Sequence, residues 1–323
     1  MTSRHLVDPE LVDALDQFPA IQLTAETLKQ VRATIQTVFA EHLATVPEFP
    51  DIVAAEHHVP GPEGEPDVHV LVYLPTVVKK PLPALLWIHG GGYILGSATE
   101  DDITARSLAS DIGCAVVSVD YRLAPETPHP GPVEDCYAAL KWLYTHANEL
   151  GVDTTRIAIG GASAGGGLAA ALGLLARDRG EVPLVFQFLI FPMLDDRTVT
   201  TPDPHPYTGE FIWTAESNRF GWQALLGREP GGPDISPYAA AARAEHLEGL
   251  PSTFICVGAL DLFLEENIEY ARRLLRAGVP TELHVYPGAY HGFNMVINAQ
   301  VTQAYHRDTL TALKRALSPS SSL

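Results

Sequence analysis

The sequence predicts an α/β protein with a mostly parallel sheet and helices on both faces, and three observations carry this. Short apolar, β-branched runs alternate with helix-forming runs from about residue 50 onward. Two of these runs, Ala84 to Ile88 and Ala115 to Val119, are almost continuously apolar, as strands covered on both faces must be. Finally, Ile157-Ala158-Ile159 runs straight into Gly160-Gly161-Ala162-Ser163-Ala164-Gly165, and an Ala/Leu-rich segment follows to Leu175. Gly161-x-Ser163-x-Gly165 at a strand-to-helix joint is the pattern of a nucleophile elbow, a tight turn that lifts a serine hydroxyl above a sheet. The motif alone is weak, and a plain glycine-rich turn is the bland alternative; the strand before it and the helix after it favour the elbow. A dinucleotide fingerprint on Gly165-x-Gly167-x-x-Ala170 is set aside, because those residues fall inside the helix rather than at the strand end.

Composition bounds the partners. A chain of 323 residues with 46% hydrophobic and 19% charged residues describes a globular protein with a large core. The formal net charge of −18 argues against nucleic acid and anionic membrane as partners, since both need a basic face. It also disfavours strongly anionic substrates. Cys114, Cys136 and Cys256 form no C-x-x-C pair and read as buried free thiols. Residues Met1 to Leu11 carry no apolar signal-like run, and no apolar run approaches the length of a membrane span, so a cytoplasmic location is expected.

Taken in order, Asp8-Pro9 reads as a helix cap followed by a proline at the first helical position, opening a short helix to about Gln17. From Thr24 to Leu43, the residues Leu28, Val31, Ile35, Val38, Phe39 and Leu43 recur at helical spacing. Ile52 to Val59 and Val68 to Leu74 read as strands joined by the turn Pro60-Gly61-Pro62. The strand Ala84 to Ile88, a helix from Ile103 to Asp111, the strand Ala115 to Val119 and a helix from Val133 to Leu150 follow. After the elbow, strands are expected at Val185 to Phe191, Thr253 to Val257 and Glu282 to Tyr286. Helices are expected from Leu264 to Ala277, stopped by Gly278, and from about Ala299 to Ala316. Between Asp195 and Leu250 the alternation breaks in a stretch rich in Pro, Gly and aromatics, including Tyr207, Phe211, Trp213, Phe220 and Trp222. It is too long for a plain loop and reads as an insertion with its own helices. The expected division is 1–50 and 195–250 as two parts of a helical cap, with 51–194 and 251–323 as the core, all one structural unit.

The chemistry sits at strand ends. His89-Gly90-Gly91-Gly92 follows the strand ending at Ile88, and glycines there let backbone N–H groups point into a cavity as oxyanion donors. A serine nucleophile needs a base, and the base needs an orienting acid. Five histidines follow Ser163: His205, His246, His284, His291 and His306. Of these, His291 lies in the loop between the last strand and the last helix, at the sheet end where ligands meet α/β proteins. Asp261 is the first carboxylate after the Thr253 to Val257 strand; Glu265 and Glu266 are runners-up that also suit a helix's first turn. His57-His58 lies on a strand, where neighbours face opposite ways, and makes a poor chelate.

With these pieces together, the chain resembles the hormone-sensitive-lipase family of α/β-hydrolases, the bacterial carboxylesterases, from about residue 50 to 315. The resemblance rests on His89-Gly90-Gly91-Gly92, Asp120-Tyr121-Arg122-Leu123-Ala124-Pro125-Glu126, Gly161-Ala162-Ser163-Ala164-Gly165-Gly166, Asp261-x-x-x-Glu265-Glu266 and His291-Gly292-Phe293. It implies an eight-stranded, mostly parallel α/β-hydrolase sheet under a helical cap, and a triad of Ser163, Asp261 and His291. The family's oxyanion donors fall on Gly91, Gly92 and Ala164, and no metal or cofactor is implied. The Asp120 to Glu126 run is expected to be structural, with Arg122 and Glu126 bracing the glycine loop. Two positions depart from the family pattern: Ala162 stands where Asp or Thr is usual, and Leu262 where a Pro commonly follows the acid. The expected activity is hydrolysis of short- to medium-chain neutral esters. An amidase or acyltransferase would use the same residues, and a ligand-binding receptor on this fold would dispense with the histidine. A homodimer through the Glu282 to Tyr286 edge strand is also expected, since an uncovered edge invites pairing.

Overall fold

The computed structural model describes residues 2–17, 23–43 and 48–318, with side chains of 39–43 excepted. Eight strands form one sheet: β1 (Ile52–Val59), β2 (Val68–Pro75), β3 (Leu82–Ile88), β4 (Ala115–Asp120), β5 (Val152–Ala162), β6 (Phe186–Ile190), β7 (Ser252–Gly258) and β8 (Thr281–Tyr286). Their spatial order is β1-β2-β4-β3-β5-β6-β7-β8. The β2 strand runs antiparallel to both its neighbours, and every pairing from β4 to β8 is parallel. Every residue of β3 and of β6 is buried, which accounts for their largely apolar sequences; the polar Gln187 of β6 donates from its side chain to Thr253 Oγ1 at 3.0 Å. The edge strand β1 is largely exposed, which is why Glu56, His57 and His58 are tolerated there.

Nine helices accompany the sheet among the described residues: α1 (Val12–Leu15), α2 (Leu28–Leu43), α3 (Asp102–Ile112), α4 (Gly131–Thr145), α5 (Ala147–Leu150), α6 (Ala164–Arg179), α7 (Ala215–Leu226), α8 (Leu264–Arg276) and α9 (Gln300–Leu317). On one face α3 packs with α9, on the other α4 packs with α6, and α8 covers β7 and β8. The interior is continuous from β2 through α9, and all three cysteines lie in it as free thiols.

Three elements differ from the sequence reading. The helix expected from Pro9 starts only at Val12, because Asp8 Oδ1 accepts from Glu10 N–H in a turn while Asp8 N–H is tied to Gly288 O. The helix expected from Val133 to Leu150 is split at His146, where Thr145 Oγ1 bonds the carbonyls of Lys141 and Trp142 and competes with the backbone ladder. The elbow strand begins five residues early, at Val152 rather than Ile157, and its polar opening runs past a register shift opposite Leu82 and Ala84. Val38 is 58% exposed, so the apolar stripe of α2 is only partly covered; Phe39 and Leu43, also placed on that stripe, have side chains outside the described residues. In the insertion, α7 and a short 3₁₀ turn at Ala241–Arg243 are the helical elements.

Candidate active site

Ser163 occupies the joint between β5 and α6 with φ +57 and ψ −121, a conformation that L-residues rarely adopt. The turn is possible only because its flanks are glycine. A Cβ on Gly161 would lie 2.4 Å from Gly165 O, and one on Gly165 would lie 2.1 Å from Ile88 O. Ser163 N–H donates to Ile190 O at 2.9 Å, and Ser163 O accepts from Gly167 and Met193 N–H, both at 3.0 Å. The strained serine is therefore held by β6 and by the first turn of α6.

The loop after β3 runs alongside. A Cβ on Gly90 would lie 3.4 Å from Ser163 Cβ, and Gly91 and Gly92 have φ of +115 and +62. Among the described residues, the N–H groups of Gly91, Gly92 and Ala164 donate to no backbone carbonyl. Tyr93 ties the loop down by donating from its hydroxyl to Met193 O at 2.9 Å. His89 is buried and stacked on Tyr121 with ring centroids 4.3 Å apart, and burial lowers its pKa, so it stays neutral. It is a strut of the loop.

Asp261 lies in the turn after β7, with Oδ1 accepting Phe263 N–H at 3.0 Å and Oδ2 accepting from His291 Nδ1 at 2.8 Å. On the other side of the imidazole, Ser163 Oγ stands 3.0 Å from His291 Nε2. The bond to Asp261 places the ring proton on Nδ1 and leaves Nε2 to accept from the serine hydroxyl. Phe191 and Phe263 meet the imidazole edge-on at 5.0 and 5.2 Å and fix its plane. Ser163 and His291 are each 7% exposed, and Asp261 is 1% exposed.

The structure thus brings Ser163, Asp261 and His291 into one hydrogen-bonded line and sets the Gly90–Gly92 loop beside it. The other candidates lie elsewhere. Glu265 is exposed, and Glu266 is buried with its Oε1 accepting Leu194 N–H at 2.6 Å. His284 sits in β8 against Glu282, and His306 lies in α9. Leu262, in the place of the usual proline, packs its side chain against Gly209 and leaves the Asp261 turn intact. The expectation that Arg122 braces the glycine loop is not met: its guanidinium forks onto buried Asp135 and also reaches Glu65. Glu126 does serve the loop, through a residue that sequence reasoning missed. Arg32 of α2 pairs with Glu126 at 2.7 Å and donates to Ile94 O and Ala124 O, both at 2.8 Å. The available signal was a lone arginine among Leu28, Val31 and Ile35 on the apolar stripe of α2.

The N-terminal segment and the insertion meet around this site. Ser3 bonds Glu210, Tyr290 Oη donates to Leu11 O at 3.1 Å, and Trp213 Cη2 lies 2.0 Å from where a Cβ on Gly92 would stand. Trp222, fully buried, packs on Tyr93 at 5.2 Å beneath the loop. Among the described residues, no helix is long and apolar enough to cross a membrane.

A family profile described as alpha/beta hydrolase fold matches residues 85–295. The chain is 38% identical over 323 residues to carboxylesterase NlhH of Mycobacterium tuberculosis, covering 98% of both chains. A solved bacterial heroin esterase superposes with TM-score 0.93 at 43% identity, over 98% of this chain and 100% of that one. Esterase LipW from Mycobacterium marinum superposes with TM-score 0.86 at 35% identity, over 98% of each. A profile spanning more than half of the chain, on an eight-stranded sheet carrying a serine elbow, makes this protein a member of the α/β-hydrolase family, in its hormone-sensitive-lipase-like branch.

Proposed function

We propose that this chain is a serine carboxylesterase that hydrolyses short- to medium-chain neutral esters through an acyl-enzyme. The observation that carries the reading is the line Asp261–His291–Ser163, with bonds of 2.8 and 3.0 Å, at a strained elbow. Ser163 Oγ attacks the ester carbonyl while His291 Nε2 takes its proton. Asp261 holds the imidazole in the tautomer that can accept that proton and stabilises the imidazolium that forms. The N–H groups of Gly91, Gly92 and Ala164 are the donors for the tetrahedral oxyanion. His291 then protonates the leaving alcohol, and water, activated by the same imidazole, releases the acid.

Segments 1–50 and 195–250 act as the cap over this centre, a reading supported by the Ser3–Glu210, Leu11–Tyr290 and Trp213–Gly92 contacts. Aromatic side chains of the insertion, Phe211 against Tyr290 and Trp213 against Gly92, favour neutral acyl groups, each buried CH₂ adding about 0.8 kcal/mol until the space is full. kcat/KM should peak at roughly four to eight acyl carbons on this pocket-filling argument. Ser163→Ala should lower kcat on p-nitrophenyl butyrate by about 10⁴-fold or more with the melting temperature retained. Near wild-type turnover by the pure variant would end the serine mechanism.

A further inference from the structure

We propose that Ile212 is a specificity-determining residue at the mouth of the site and limits the length of carbon chain that reaches Ser163. The inference rests on the ester-hydrolase reading above. The segment Gly209 to Trp213 crosses all three parts of the centre. Gly209 N–H donates to Leu260 O at 3.1 Å, next to Asp261. The Phe211 ring meets Tyr290 edge-on at 6.0 Å, next to His291. Trp213 lies against Gly92 and donates from its indole to Asn218 Oδ1 at 3.0 Å.

Between these anchors, Trp213 N–H donates to Phe211 O at 2.7 Å and closes a three-residue turn around Ile212, whose φ is +62. A γ-turn with positive central φ is rare, and a β-branched residue in that region is an outlier. Glycine would adopt it without steric cost. Local preference therefore does not explain isoleucine here, and strain of this kind concentrates at functional sites. The turn directs its two neighbours inward, leaving Trp213 7% exposed, and throws Ile212 outward at 38%. Ile212 Cγ2 lies 3.9 Å from where a Cβ on Gly292 would stand, and Met295 Cε lies 3.1 Å from the same point. Ile212 and Met295 thus flank the residue that follows His291, while Ser163 and His291 are nearly closed off. A short chain passes beneath this pair. A longer one must displace Ile212, which a stiff β-branched side chain on a pinned turn resists.

The test is kcat/KM for p-nitrophenyl butyrate and decanoate with wild type, Ile212→Gly, Ile212→Ala and Ile212→Trp, with melting curves for each. The decanoate-to-butyrate ratio should rise about 10-fold in Ile212→Gly, rise less in Ile212→Ala, and fall in Ile212→Trp. Opposite movement in the small and large variants is what a merely loosened loop would not produce. Ratios within about twofold of wild type in all three variants, or a shift in the same direction in all three, would overturn the role of Ile212 while wild-type turnover upheld the esterase reading. Failure of the wild type to hydrolyse any ester would overturn both.

Discussion

Asp261 and Glu266 are both buried carboxyls near the start of α8, and their partners separate their roles. Asp261 faces the imidazole of His291, so Asp261→Asn should cost about 10⁴ in kcat by presenting the wrong hydrogen-bonding edge. Glu266 instead holds the chain after β6 through Leu194 N–H and Thr198, and burial pushes its carboxyl well above the ordinary 4.5. A raised carboxyl contributes stability that is fully present below the unfolded value and is lost as pH rises through the folded one. Glu266→Gln should therefore lose less melting temperature than wild type as pH rises above about 5, with a far smaller effect on kcat than Asp261→Asn. A larger kcat loss in the glutamine variant would reverse the two assignments. At this scale the hydrogen-bonded line from Asp261 through His291 to Ser163 was legible, because Asp261 and His291 lie in the turns that follow strands. The burial of Glu266 was not, since a glutamate in a helix's first turn reads equally well as an exposed dipole partner.

Among the elements, α2 shows what sequence pattern leaves out. Its apolar spacing announces a helix, but the helix is fastened to the glycine loop by Arg32, and two of that residue's acceptors are backbone carbonyls at Ile94 and Ala124. Backbone acceptors carry no sequence signature. The same limit hid the polar first half of β5, where Asp153, Thr155 and Arg156 satisfy one another outside any apolar run. The buried strands β3, β4 and β6 were legible because two covered faces demand mostly apolar residues, with only Ser118 and Gln187 polar among their fully buried positions. Arg32→Ala should lower the melting temperature and reduce kcat by about 10-fold, since a small displacement of the proposed oxyanion donors would be costly. Arg32→Lys should rescue little of this, because an ammonium cannot reproduce the forked contacts. Unchanged kinetics in both variants would detach α2 from the function of the loop.

For the whole molecule, the strand order places β8 at one edge of the sheet, paired only with β7, and leaves Val285 41% exposed. An uncovered edge of this kind suits pairing with a second copy about a two-fold axis. Light scattering at micromolar concentration should report twice the chain mass of 34.9 kDa, and Val285→Lys should shift the protein toward the single-chain value. A wild-type mass of 34.9 kDa would contradict the dimer. The alternation of strands and helices made the fold class readable, and the elbow and glycine loop made its branch readable. That the segments before β1 and after β6 form a cap was an expectation of the sequence, but which residues join them was not readable, because contacts such as Ser3 with Glu210 link residues far apart in the chain.

The proposed acyl-enzyme mechanism requires Ser163 to carry the acyl group during turnover. Intact-mass and peptide mass spectrometry on enzyme acid-quenched within milliseconds of mixing with p-nitrophenyl acetate tests it most directly. One acetyl group per chain is expected on the peptide containing Ser163, appearing with the p-nitrophenol burst and absent in Ser163→Ala. An acetyl group that accumulates with the burst on any other residue, or that persists in Ser163→Ala, would contradict it.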